Sequence, residues 1–269
     1  MRDRRRRWAG VWTTCALAWL AISACATAAD RFDHSLLDSV LQRFVDDDGL
    51  VDYAGLKRDS ALLSEYCDLL ADVSPENNPE RFPTSGDSLA YWINAYNAFV
   101  LKGVVDAYPV ASVKDIRLFY GFFKREEFIA GGRKLTLDDI EHGTIRKQFD
   151  EPRIHAAVNC GAISCPRLQR NAYTAADLDA QLDRAMREFA GGSVHVQLDR
   201  DSRTVRLSRL FDWYGEDFTG WLSNPDPTVL DYITQYRDES DRAFLGSAPK
   251  LKLDFMKYDW SLNDQASGR

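Results

Sequence analysis

The sequence predicts an α+β fold: a single domain with a central buried helix, short strands and two β-hairpins. Three observations predict it. Residues 88–108, SLAYWINAYNAFVLKGVVDAY, are apolar nearly all round at helical spacing, so this helix belongs inside the fold rather than on its surface. The segments EEFIAGGRKLTL and SVHVQLDRDSRTVRLS each read as two short strands folded about a glycine or polar turn. Helices and strands then mix without the strand–helix–strand rhythm of a parallel sheet.

Each element has its own reason. Residues 32–45 place Leu36, Leu37, Val40, Leu41 and Phe44 at helical spacing, and 60–73 repeat the pattern. Residues 74–87, rich in Pro and Asn, form a loop that ends in a helix cap at Ser85 or Asp87. Pro109 stops the central helix. Asn94 and Asn97 lie one turn apart on it. Two amides in a buried helix must find partners, because an unpaired one costs about 1–3 kcal/mol. Gly131-Gly132 turns the first hairpin. TLDDIEHGTIRK follows as a helix, with Thr136 as N-cap and Asp138 and Asp139 in its first turn. PRIHAAVN reads as a short buried strand. TAADLDAQLDRAMREFA reads as an amphipathic helix capped by Thr174 and ended by Gly191-Gly192.

The first 28 residues read as a secretory leader. Arg2, Arg4, Arg5, Arg6 and Arg7 precede an apolar stretch at 11–24, and Ala26-Thr27-Ala28 supplies a small-residue cleavage site. Ile22-Ser23-Ala24-Cys25 also resembles a bacterial lipobox, which would leave Cys25 carrying a lipid. The expected location is the periplasm, with a membrane attachment only through that lipid. No later apolar run reaches the roughly 18 residues of a spanning helix. The leader holds five Arg and one Asp, so its loss takes the formal charge from −7 to −11. Such an acidic domain, residues 29–269, is a poor partner for nucleic acid.

Three cysteines remain in the domain: Cys67, Cys160 and Cys165. Disulfides persist in an exported protein, and an odd count leaves at least one thiol unpaired within the chain. The richest stretch is IHAAVNCGAISCPRL, at 154–168. Cys160 there follows the expected strand, with Gly161 permitting a sharp turn. A thiol at such a junction becomes a nucleophile when an imidazole lowers its pKa, and a third group must then fix the ring. His155 is the candidate base, and Asn94, Asn97 and Glu141 are candidates for the third group. The alternatives are a buried apolar cysteine, a Cys160–Cys165 disulfide serving as a clip or a redox couple, and a metal site. No ligand spacing among His142, His155, Cys160, Cys165 and Glu141 follows a zinc pattern, so neither metal nor cofactor is expected. Glu141 would otherwise pair with Arg146 or Arg153. His34 and His195 read as surface positions, and Asp259 as a hydrogen-bond acceptor beside a buried Trp260. Phosphate-binding glycine loops, G-x-S-x-G elbows and H-E-x-x-H motifs are absent from the sequence.

Five blocks in one order carry a resemblance: LAYWINAYNAFVLKGV, LTLDDIEHGTIR, DEPRIHAAVNCGAISCPRLQRNAYTAADLDAQLDRAMREFA, LFDWYGEDF and YDWSLN. Together they resemble the domain-of-unknown-function family 547, over about 46–263. Ala156-Ala157 departs from the family's Phe-Ala. The resemblance implies export. It also implies that Cys160 is the sulfur to watch, since some members carry serine at the place of Cys165. The motif residues it carries over are Asn94, Tyr96, Asn97, Glu141, His142, Arg153, His155, Cys160, Gly161, Ser164, Pro166 and Tyr173, more polar groups than a core requires.

The leading expectation is a thiol-dependent hydrolase or acyl transferase. Cys160 would attack, His155 would serve as base, Glu141 or Asn94 would orient the ring, and amides near Gly161 would form an oxyanion hole. Asn97, Tyr96, His142, Arg153 and Ser164 would bind an unidentified small-molecule, peptide or envelope substrate. The rivals are a non-catalytic envelope domain with a polar binding pocket and a Cys160–Cys165 redox couple.

Overall fold

Helix α4 (Ser85–Ala107) organises the molecule, because seventeen of its 23 residues are buried. A computed structural model describes residues 31–247 and 251–267. The leader and lipobox readings at 1–28 lie outside those residues. Thr84 caps α4. Its side chain accepts from the Asp87 amide, and the Asp87 carboxylate accepts from the Thr84 amide. The cap is therefore one residue earlier than Ser85, with Asp87 as its reciprocal partner.

Three helices lead into α4: α1 (Ser35–Phe44), α2 (Tyr53–Arg58) and α3 (Ala61–Asp72). Leu37, Leu41, Leu63 and Leu70 from α1 and α3 are sealed with α4 into the larger apolar cluster. Each such side chain contributes about 1.5–3 kcal/mol on burial. After α4 come two single turns, α5 (Val113–Ile116) and α6 (Gly121–Lys124), and then the hairpin of β1 (Phe128–Ala130) and β2 (Arg133–Leu135). Gly131 and Gly132 both take positive φ at its turn, as the sequence requires.

The next helical segment is not a plain α-helix. Thr136 and Asp139 cap it reciprocally. Residues Asp139–Ile145 then form a widened π turn that runs into α7 (Arg146–Gln148). The amide of Arg146 reaches the carbonyl of Glu141, five residues back. PRIHAAVN is not a strand. Pro152–Ala156 forms a 3-10 turn, with Pro152 at its start and the Glu151 side chain accepting from the Arg153 amide. A short apolar run fits either conformation by periodicity, and the proline with its local cap decides for the turn.

The rest of the chain builds a second apolar cluster. Helix α8 (Leu178–Gly191) carries Ala185, Met186, Phe189 and Ala190 onto the antiparallel pair β3 (Val196–Asp199) and β4 (Thr204–Leu207). Helices α9 (Leu210–Trp213), α10 (Gly215–Gly220), α11 (Val229–Thr234) and α12 (Glu239–Leu245) follow. Strand β5 (Lys252–Phe255) then adds to β4 in parallel, a pairing that local sequence does not announce. The architecture is a single α+β domain with one two-stranded and one three-stranded sheet among the described residues. Tyr258 packs against both apolar clusters and so marks their seam.

Candidate functional site

A cleft opens at that seam, enclosing about 730 Å³ with its mouth included. Its wall is assembled from seven places in the chain. Helix α4 gives Tyr96, the α6 region gives Tyr120, Phe123 and Lys124, and the π turn gives Asp138, Glu141 and His142. The 3-10 turn gives His155, the following loop gives Cys160 and Cys165, α9 gives Trp213 and Tyr214, and the C-terminal tail gives Tyr258 and Trp260. The π turn matters here. Such widenings recur at functional sites, and this one brings the adjacent residues Glu141 and His142 to the same cleft.

Cys160 and Cys165 form a disulfide on the cleft wall, and Cys67 remains a free thiol. Burial pushes the Cys67 thiol up to about 12. The loop between the bonded cysteines is held at both ends by Asn159. Its Oδ1 accepts from the Gly161 amide at 2.8 Å, and its Nδ2 donates to the Pro166 carbonyl at 2.8 Å. The Cys160 amide donates to the Cys165 sulfur at 2.9 Å. The Tyr258 hydroxyl lies 3.2 Å from each sulfur. Ser164 holds the tail that carries Tyr258 in place, its Oγ accepting from the Asp259 amide at 2.8 Å. Asp259 is an acceptor as expected, from the Ser261 amide, although Trp260 is only partly buried and faces the cleft.

His155 is almost fully buried and stacks on Tyr214, with centroids 4.0 Å apart. Its Nε2 meets the Asp217 carboxylate at 2.7 Å. Burial pushes the imidazole below its ordinary value, against the opposing pull of Asp217. A neutral ring therefore donates Nε2–H to Asp217. Arg146 grips the same carboxylate through Nε at 2.7 Å and Nη2 at 2.8 Å. Burial would raise the Asp217 carboxyl, but the hydrogen bonds from His155 and Arg146 outweigh it and hold the group well below the usual range. Glu141 accepts from the Tyr214 hydroxyl at 2.6 Å rather than pairing with Arg146 or Arg153. Burial, with the Glu141 carboxylate nearby, holds the Tyr96 phenol far above its ordinary value.

The structure thus brings Cys160, His155, Glu141, Tyr96 and His142 to one cleft. It takes the remaining candidates elsewhere. Asn94 exchanges two hydrogen bonds with the Tyr173 backbone, at 2.7 and 2.9 Å. Asn97 donates to the Ala157 carbonyl and accepts from the Asn159 amide. Both amides are spent on fastening later segments to α4, and neither lines the cleft. Arg153 pairs with Glu151 and Asp179 outside it. His34 is not a free surface residue, since its Nδ1 meets the Tyr66 hydroxyl at 2.7 Å. His195 is half-buried against the Phe189 ring, at 4.6 Å between centroids. Among the described residues, no three His, Cys, Asp or Glu side chains converge as a metal ion needs.

Sequence reasoning missed Trp213, Tyr214 and Tyr258 as parts of the cleft, and Arg146 and Asp217 as the pair that holds His155 beside it. The signal was present in LFDWYGEDF and YDWSLN, two short segments crowded with aromatic rings and acids.

The sequence model of the family described as "Protein of unknown function, DUF547" matches residues 81–190. No curated protein and no solved structure matches the chain. The matched segment contains α4, Glu141, His155 and both bonded cysteines, whereas the aromatic residues at 213–260 lie beyond it. Residues 81–190 belong to the DUF547 family.

Proposed function

We propose that the cleft is a thiol–disulfide exchange site acting on an exported dithiol substrate. The carrying observation is the Cys160–Cys165 disulfide on the cleft wall, whose Cys165 sulfur accepts from the Cys160 amide and from the Tyr258 hydroxyl. Cys160 is the more exposed of the two sulfur residues. A substrate thiolate attacks the Cys160 sulfur, the S–S bond breaks, and Cys165 leaves as a thiolate. Two donors aimed at that sulfur favour its charged form. The second substrate thiolate then attacks the substrate sulfur of the mixed disulfide and releases Cys160. The substrate loses two electrons and becomes a disulfide, and the protein becomes a dithiol.

A Cys160–His155 hydrolase is less well supported. The Cys160 and Gly161 amides needed for an oxyanion hole are engaged by Cys165 and Asn159. The imidazole Nε2 is engaged by Asp217, and the side-chain group near the Cys160 sulfur is a phenol. A binding pocket without sulfur chemistry is the remaining alternative.

The test is equilibration of the folded protein with glutathione buffers, followed by mass-spectrometric trapping. The expected result is reversible reduction without unfolding, a stable mixed disulfide on Cys160 in Cys165→Ser, and none in Cys160→Ser. A disulfide that opens only after denaturation rules the proposal out.

A further inference from the structure

The charged groups in and beside the cleft do not all pair with one another. Arg146 is held by Asp217 at 2.7 and 2.8 Å, and its Nη1 lies 3.0 Å from His142 Nδ1. Lys124 faces Asp138 at 3.8 Å. With each of these pairs neutral as a unit, Glu141 is left without an ion-pair partner, while Lys114 sits over the Tyr120 and Trp260 rings. Glu141 is 8 % exposed and receives the Tyr214 hydroxyl, with no basic group within ion-pair distance of it among the described residues. A buried acid without a counter-ion is costly unless something positive arrives to face it.

The surface around Glu141 suits such an arrival. Tyr258 lies 4.9 Å from Trp213 and 4.6 Å from Trp260 between ring centroids, so the three rings form one continuous aromatic wall. Ring faces carry negative potential and attract ammonium and guanidinium groups. Two rings of this cleft already hold the chain's own cations. Lys114 Nζ is 5.7 Å from the Trp260 centroid, and the Arg146 guanidinium is 5.0 Å from that of Tyr214. The formal charge of −7 on the whole chain favours the approach of a cation as well.

We infer that the cleft contains a subsite for an ammonium group, formed by the Glu141 carboxyl and the aromatic wall of Trp213, Tyr258 and Trp260. As a statement of substrate class it rests on the exchange reading: the preferred substrate thiol has a lysine-like cation beside it in sequence. As a statement of binding it stands without sulfur chemistry.

The experiment titrates the oxidised full-length protein with Nα-acetyl-lysine N-methylamide, followed by the fluorescence of the cleft tryptophans. Nα-acetyl-norleucine N-methylamide is the neutral control, matching the stem without the ammonium. The expected result is saturable quenching by the lysine probe, with the norleucine probe about ten-fold weaker. Glu141→Gln, which still accepts from Tyr214, should weaken the lysine probe by a similar factor and leave the norleucine probe unchanged. Equal binding of both probes, or no binding of either, overturns the subsite. The wild-type selectivity decides the matter even if Glu141→Gln fails to fold. Lysine-selective binding in a protein that exchanges no thiols retires the exchange reading alone. Exchange that is indifferent to neighbouring charge, with no probe selectivity, retires the subsite alone.

Discussion

The carboxylate of Asp217 accepts from Nε2 of His155 at 2.7 Å, and that bond fixes a ring that solvent scarcely reaches. The same carboxylate anchors Arg146, so one acid orders an imidazole and a guanidinium beside the cleft. Asp217→Asn removes the charge and one of the acceptor oxygens. Hydrogen bonds to charged groups are worth about 1.5–3 kcal/mol each, and Asp217 is partly exposed. A loss of about 2–3 kcal/mol is expected in urea denaturation. The variant should also narrow the acid-side dependence. The depressed Asp217 carboxyl stabilises the fold above the ordinary carboxylate range, and that stability is lost as pH falls toward its folded value.

His34 gives a separate pH signature. Burial pushes its imidazole from 6.5 to about 4 in the fold. A group with a depressed folded pKa contributes stability that is complete above the unfolded value and lost as pH falls through the folded one. The window is therefore pH 6.5 down to about 4, and the loss is at most about 3 kcal/mol. His34→Gln removes the titrating ring while offering Tyr66 a polar partner. Stability curves of the two proteins should converge toward pH 4. Parallel curves across that window count against His34 as the titrating group.

Asn94 and Asn97 should behave as fasteners and not as catalytic groups. Asn97→Ala strands the Ala157 carbonyl and the Asn159 amide, which the wild-type side chain satisfies at 3.0 and 2.8 Å. Unmet buried groups cost about 1–3 kcal/mol each, so a loss of roughly 2–5 kcal/mol is expected in chemical denaturation. Asn94→Ala should cost a similar amount. Its exchange kinetics with glutathione, measured where the variant is folded, should match the wild type, since Asn94 is held by Tyr173 and lines no part of the cleft.

These residues show how far sequence can be read. Asn94 and Asn97 declare themselves as polar groups on an apolar helix, and the demand for partners follows at once. Which partners they take does not follow, because Tyr173 lies 79 residues from Asn94 and Ala157 lies 60 from Asn97. The α+β class, α4 and both hairpins were legible because period and turn chemistry are local. The 152–156 turn was not, because five apolar-biased residues fit two conformations equally well. The cleft was half legible. Cys160, His155 and Glu141 cluster within twenty residues of sequence, but Asp217 and Tyr258 reach them from 62 and 98 residues away. The phenol at the sulfur is thus a product of tertiary packing alone.

Gly161 tests the loop between the two cysteines. Its φ is +78°, and a Cβ there would lie 2.9 Å from Val113 Cγ1. Gly161→Ala combines a left-handed backbone with a tight contact and should cost about 1–3 kcal/mol. Thermal denaturation of the oxidised variant measures this, and an unchanged midpoint argues for a loop free to relax.

Tyr258→Phe is the sharpest probe of the exchange reading, because it removes one oxygen and keeps the ring that seals the seam. Burial holds the phenol above its ordinary value, so it stays protonated and able to donate. Its O–H lies 3.2 Å from the Cys165 sulfur. After reduction this donor favours the Cys165 thiolate, and its loss raises that thiol's pKa. One hydrogen bond is worth about 1 kcal/mol, so attack on Cys160 with Cys165 leaving should slow roughly five-fold. The alkylation midpoint of Cys165 in the reduced variant should move upward in pH in the same experiment. A change in stability alone, with exchange rate and alkylation midpoint at wild-type values, makes Tyr258 a packing residue and leaves the Cys160 amide as the donor that prepares Cys165 to leave.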